Sequence, residues 1–162
     1  MMTPTGPKVL EYNTRFGDPE TQSMMLLLAD DTDLAQVLLS CTNGTLAETR
    51  LSIGPGYACN VVVAAGGYPG AYRTSDDIEI LGTMPPDAVV FHAGTKLVGD
   101  RLETAGGRVL SVAARGDSLE ECVAAAYEGV RAVRFRGMYY RKDIALYGLQ
   151  LHARLETGAP RR

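Results

Sequence analysis

The run Tyr57 to Ala65 constrains this chain most, because it is rich in Val and bounded on both sides by glycine and proline. Gly54-Pro55-Gly56 precedes it and Gly66-Gly67-Tyr68-Pro69-Gly70 follows it. β-Branched side chains fit a pleated strand, and the flanking clusters stop it at either end. The run therefore predicts a strand, and it opens a stretch of strands. Further short strands are expected at Ile78 to Leu81, Ala88 to His92 and Lys96 to Val98. Asp100 to Thr104 and Gly107 to Ala114 read as a hairpin around Ala105-Gly106. Gly66, Gly67 and Gly70 follow no GxGxxG or GK[ST] spacing, so a tight turn with positive φ explains them better than a phosphate loop.

Helices flank this stretch. Ser118 and Glu121 have the spacing of a capping box, and Leu119, Cys122, Val123, Ala126, Val130 and Val133 mark an apolar stripe to about Arg134. Upstream, Lys8 to Phe16 alternates in the manner of a strand, with Val9, Glu11, Asn13 and Arg15 on one face. Gly17-Asp18-Pro19 turns into a helix through Met24, Met25, Leu27 and Leu28, with Asp18 as its expected cap, Pro19 at its first position and Glu20 near the positive end of its dipole. A second helix begins at the cap Asp33 and stops at Asn43-Gly44. The sum is an α+β fold, mainly antiparallel sheet with packed helices.

Composition narrows the function classes. The chain has 162 residues, 46% of them hydrophobic and 22% charged, which suits a globular domain with a core of its own. The net charge is −3 and no long basic run occurs, which argues against nucleic acid or an anionic membrane as the main partner. No signal peptide or membrane span is visible, so a cytosolic (cytoplasmic) location is expected. Cys41, Cys59 and Cys122 show no CxxC spacing and read as reduced thiols. His92, at a strand end, reads as a structural hydrogen-bonding residue.

Chemistry concentrates between Val9 and Gln22. On a strand, Glu11 and Asn13 would present a carboxylate and an amide oxygen on one face, roughly 7 Å apart. Such a pair suits a hard cation such as Mg²⁺ that completes its shell with nucleotide phosphate. Arg15 extends the face with a guanidinium able to grip phosphate. The bland alternative is a solvated strand face, and Asp18 and Glu20 are equally accounted for as cap and first-turn acid.

Glu11-x-Asn13 resembles the magnesium-binding strand of ATP-grasp ligases. Arg15-Phe16-Gly17-Asp18-Pro19-Glu20-Thr21-Gln22 is similar to the diagnostic octapeptide of the phosphoribosylamine–glycine ligases, or glycinamide ribonucleotide synthetases. The resemblance continues through Val61 to Gly70, Phe91 to Lys96, Gly107 to Val112 and Tyr139 to Ala145. It implies an ATP-dependent ligase of purine biosynthesis that joins glycine to 5-phosphoribosylamine, with ATP as substrate and Mg (or Mn) as metal. It further implies that Glu11 and Asn13 are metal ligands and that Arg15 binds and stabilises the transferred phosphoryl group. Asp18 and Glu20 are implied only to lie near the substrate.

On this reading residues 1–45 end an ATP-grasp domain, 46–145 form a C-terminal α+β domain and 146–162 are a divergent tail. Leu146 to His152 departs from the family pattern, and Gly158 to Arg162 reads as frayed. The family's hinge, glycine-rich lid and further acidic metal ligand belong upstream of Glu11, so the chain is expected to be incomplete as a catalyst. In some family members the ligase is fused to other purine enzymes, which are possible partners. The competing expectation is a non-catalytic, free-standing domain that binds a protein partner. Either reading predicts an exposed apolar patch around Met24, Met25 and Leu27, and self-association.

Overall fold

The computed structural model describes residues 1–157, so Gly158 to Arg162 lie outside the described residues. In chain order the elements are β1 (Met2–Thr3), β2 (Gly6–Pro7), α1 (Glu20–Leu26), α2 (Leu34–Asn43) and a 3-10 turn at Leu46–Glu48. Then come β3 (Tyr57–Ala65), β4 (Glu79–Ile80), β5 (Ala88–His92), β6 (Thr95–Val98), β7 (Arg101–Thr104) and β8 (Arg108–Gly116). The chain continues through α3 (Leu119–Arg131), β9 (Val133–Arg134), β10 (Met138–Tyr140) and α4 (Leu146–Thr157).

The main sheet has the order β10-β3-β8-β5, and every pairing in it is antiparallel. Its two central strands, β3 and β8, are the long apolar ones, as expected where ladders form on both edges and water is excluded. Alternation along β3 buries Cys59, Val61 and Val63 toward α3, which lies across that face with Cys122, Ala126 and Val130 inward. Each Val or Leu so buried contributes about 1.5–3 kcal/mol of transfer free energy. Gly129 permits the close approach: a Cβ there would stand 2.7 Å from Val112 Cγ1. On the opposite face of β3 and β8 sits α1.

Several local expectations hold. The Ser118–Glu121 capping box forms with both of its hydrogen bonds, and Asp33 caps α2 by accepting from the Gln36 amide at 3.0 Å. Gly44 closes α2 in the left-handed conformation, with φ 74°. Gly67 has φ 96°, which supports the turn reading, whereas Gly66 and Gly70 do not have positive φ.

Four expectations fail for identifiable reasons. Residues 8–16 form no strand, because among the described residues no neighbour offers them a ladder and alternation without a partner leaves the backbone groups to water. Asp18 does not cap α1; Pro19 is the N-cap residue, no side chain caps it, and the helix ends by Leu26 rather than continuing to Leu28. The segment 101–104 does not pair with 107–114. β7 turns back on β6 through Gly99-Asp100, with Gly99 at φ 59°, while β8 inserts between β3 and β5 and buries Val109 to Ala114. Finally, α3 stops at Arg131 and Val133 is buried from strand β9 instead.

Candidate functional site

Glu11, Asn13 and Arg15 all lie on the exposed segment before α1. Asn13 Nδ2 donates to Glu11 Oε1 at a long 3.4 Å, so the two side chains converge even though the backbone is in no ladder. The carboxylate and the amide carbonyl are hard oxygen donors. No group of three or more His, Cys, Asp or Glu among the described residues could hold a metal ion. Among the described residues the pair can therefore offer a hard cation such as Mg²⁺ two oxygen donors, and the rest of its shell would come from other groups. Arg15 Nη1 donates to the Phe16 carbonyl at 2.9 Å and commits one of its donors locally.

Asp18 is occupied differently. Arg108, at the start of β8, donates from Nη2 to Asp18 Oδ2 at 2.8 Å and from Nη1 to the Asp18 carbonyl at 3.0 Å. One strand over, Asn60 Nδ2 donates to the Pro19 carbonyl at 2.9 Å. These bonds span 90 and 41 residues of sequence, and they fasten the turn before α1 to the sheet. Glu20 is exposed in the first turn of α1, where a carboxylate meets the positive end of the helix dipole. Thus the structure brings Glu11 and Asn13 together and gives Asp18 a structural partner.

The other motif residues have structural partners. His92 Nδ1 and Thr95 Oγ1 are 3.1 Å apart, as a hydrogen-bonding histidine should be. Lys96 reaches Glu103 Oε2 at 3.3 Å and Ser75 Oγ at 2.9 Å, and Arg101 reaches Glu103 Oε1 at 3.1 Å. Glu103 is buried, and those two cations offset the cost of burying its charge. Tyr127 of α3 donates its hydroxyl to the Arg141 carbonyl at 2.8 Å and accepts from the Ile144 amide at 3.0 Å. Arg141 in turn holds Asp143 through Nε at 2.9 Å and Nη2 at 2.6 Å, and this hydrogen bonding lowers the Asp143 pKa. A groove of about 560 Å³ lies elsewhere, lined by Asp87, Arg115, Asp117, Glu121 and Glu128 among others, and no residue of 9–22 lines it.

Sequence reasoning assigned nothing to Arg108, Asn60 or Tyr127. Arg108 stands inside the matched motif Gly107 to Val112, but a partner 90 residues away leaves no mark in local spacing.

A four-stranded antiparallel sheet with α3 on one face, and on the other a short helix preceded by the exposed residues Glu11, Asn13 and Arg15, defines an α+β module. The family described as "Phosphoribosylglycinamide synthetase, C domain" matches residues 58–147, and the chain belongs to that family. Phosphoribosylamine–glycine ligase of Synechocystis sp. is 51% identical over 151 residues, covering 89% of this chain and 35% of that protein. The bifunctional purine biosynthetic protein ADE1 of Schizosaccharomyces pombe is 49% identical over 149 residues, covering 92% of this chain and 19% of that protein. The crystal structure of phosphoribosylamine–glycine ligase from Thermotoga maritima superposes with a TM-score of 0.68 at 35% identity, covering 90% of this chain and 35% of that one. The chain thus spans about a third of the length of these single-function ligases and about a fifth of the fused one. No helix among the described residues is long and apolar enough to cross a membrane.

Proposed function

We infer that this chain forms the C-terminal portion of a phosphoribosylamine–glycine ligase, which joins glycine to 5-phosphoribosylamine at the expense of ATP in purine biosynthesis, a reaction we place in the cytosol. The observation that carries this reading is the 51% identity over 151 residues with a protein named for that activity. The convergence of Glu11 and Asn13 ahead of Arg15 supports it chemically. The relatives' names support it over a non-catalytic binding domain, and the bifunctional ones make attached or contacting purine enzymes reasonable partners.

In this reading residues 1–45 end the ATP-grasp domain, 46–145 form the C-terminal domain and 146–162 are the tail. Only Val37 and Ser40 are buried among the described residues of 1–45, as befits a segment whose packing surface is supplied from elsewhere. Glu11 and Asn13 would hold Mg²⁺ (or Mn²⁺), which when bound neutralises phosphate charge. Arg15 places a guanidinium beside the phosphoryl group passing from ATP to the glycine carboxylate, and stabilises the charge that develops there. The ribosylamine nitrogen then attacks the acyl phosphate and phosphate leaves. Glu20 lies near the substrate approach, while Asp18 is held in place by Arg108.

The test is a chimera in which this chain replaces the matching third of the Synechocystis ligase. ADP release dependent on glycine and phosphoribosylamine is expected, with a loss of at least about 100-fold on Glu11→Ala or Arg15→Ala. A chimera that folds but does not turn over, or one indifferent to both substitutions, overturns the reading. The chain by itself is expected to release no ADP.

A further inference from the structure

Arg108 reaches the octapeptide only because β8 carries an extra residue. Its register against β3 runs Val62↔Ser111 and Val63↔Leu110, and then jumps to Ala64↔Arg108, leaving Val109 without an opposite number. Residues directly opposite one another share a face of the sheet. On β3, Cys59, Val61 and Val63 face α3, so Asn60, Val62 and Ala64 face α1. A regular ladder would set Val109 opposite Ala64 and Arg108 opposite Ala65, on the apolar face beneath α3. Burying an unpaired guanidinium there would be prohibitive. The bulge instead turns Arg108 onto the α1 face, where Asn60 already stands.

On that face the two side chains take hold of consecutive carbonyls. Arg108 binds the Asp18 carbonyl and carboxylate, and Asn60 binds the Pro19 carbonyl. Asp18 is three residues from Arg15 and lies on the same continuous segment as Glu11 and Asn13. No other side chain outside residues 9–22 is hydrogen-bonded to residues 9–19 among the described residues. We propose that Arg108, aimed by the bulge at Val109 and assisted by Asn60, is the positioning residue that sets the direction of the Glu11–Asn13–Arg15 segment. The proposal rests on the reading of that segment as the metal and phosphate site. Arg108 touches no reacting atom; it acts through Asp18.

Three phenylalanines, Phe16, Phe91 and Phe135, make the test local. The full chain labelled with 4-fluorophenylalanine gives three ¹⁹F resonances, of which Phe16 lies inside the positioned segment and the other two within or beside the sheet. In Arg108→Met the Phe16 resonance is expected to sharpen and move to the random-coil position while Phe91 and Phe135 stay in place. Arg108→Lys keeps the charge and stem but cannot span both oxygens, and should shift Phe16 part of the way. Asp18→Asn keeps the carbonyl contact and should do the same, which keeps the test available if the Met variant unfolds. Titration with Mn²⁺ alone supplies the second readout, since metal bound at Glu11 and Asn13 broadens the Phe16 signal. Arg108→Met should raise the midpoint at least about fivefold, with Arg108→Lys restoring part of the loss. An unmoved Phe16 resonance in Arg108→Met, or in both milder variants, overturns the positioning role. Absence of Mn²⁺ broadening in the unmodified chain would show that Glu11 and Asn13 do not hold the metal without ligands supplied from elsewhere, and the positioning role is then decided by the Phe16 shift alone.

Discussion

Removing one oxygen atom from Tyr127 deprives two backbone groups of their partner. The hydroxyl donates to the Arg141 carbonyl and accepts from the Ile144 amide, so it ties the end of the chain after β10 to the middle of α3. In Tyr127→Phe the Arg141 carbonyl is exposed enough to recover a water, and its loss is about 0.5–1 kcal/mol. The Ile144 amide is partly buried and left without an acceptor, which costs about 1–2 kcal/mol. The ring stays, so its packing beside Tyr140, with centroids 6.2 Å apart, is kept. The sum is about 2 kcal/mol, or a fall in Tm of roughly 4–8 °C for a chain of this size. Urea unfolding should show a lower midpoint with an unchanged slope, because the exposed surface on unfolding is the same. Hydrogen exchange should show faster exchange at Ile144. The control is Tyr140→Phe, expected to cost less than about 0.5 kcal/mol. A Tm within 1 °C of the parent, together with a protected Ile144 amide, would refute the reasoning.

Two further outcomes follow from burial. Burial, with a smaller effect from nearby Cys122, pushes the Cys59 thiol from 9.0 up to about 11. The folded chain therefore keeps a proton that the unfolded chain has lost, so this stability is complete below pH 9 and declines as pH rises toward 11, by about 1.4 kcal/mol per unit. Urea midpoints of the parent and Cys59→Ala should converge across that window, and parallel curves would refute the assignment. Of the expected patch Met24 is exposed whereas Met25 and Leu27 are half-buried, but Leu38, Leu39, Leu46, Leu51 and Ile53 are exposed as well, so the chain should self-associate at micromolar concentration, and Leu38→Lys with Leu39→Glu should reduce it. A monodisperse monomer in light scattering of the parent would count against the expectation.

A few neighbouring residues suffice to set several features of this chain. Tyr57–Ala65 is a strand because its Val run is β-branched and bounded by glycine and proline. Ser118 and Glu121 cap α3, Asp33 caps α2 and Gly44 ends it, since each bond closes within a turn of backbone. The family was legible in the octapeptide and the motifs after it, because residue identity carries that information without any geometry. The tertiary structure decided the rest. Lys8 to Phe16 alternates like a strand, yet alternation states which faces differ and not whether a neighbour exists to accept a ladder. β8 pairs with β3 and β5 rather than β7, because two buried ladders outweigh the proximity of Thr104 to Arg108 along the chain. Asp18, apparently a cap, is bound by Arg108, and only a one-residue shift in sheet register turns that guanidinium away from the core and toward it. Such a shift is set by how two strands 50 residues apart meet, a long-range constraint that local spacing does not contain.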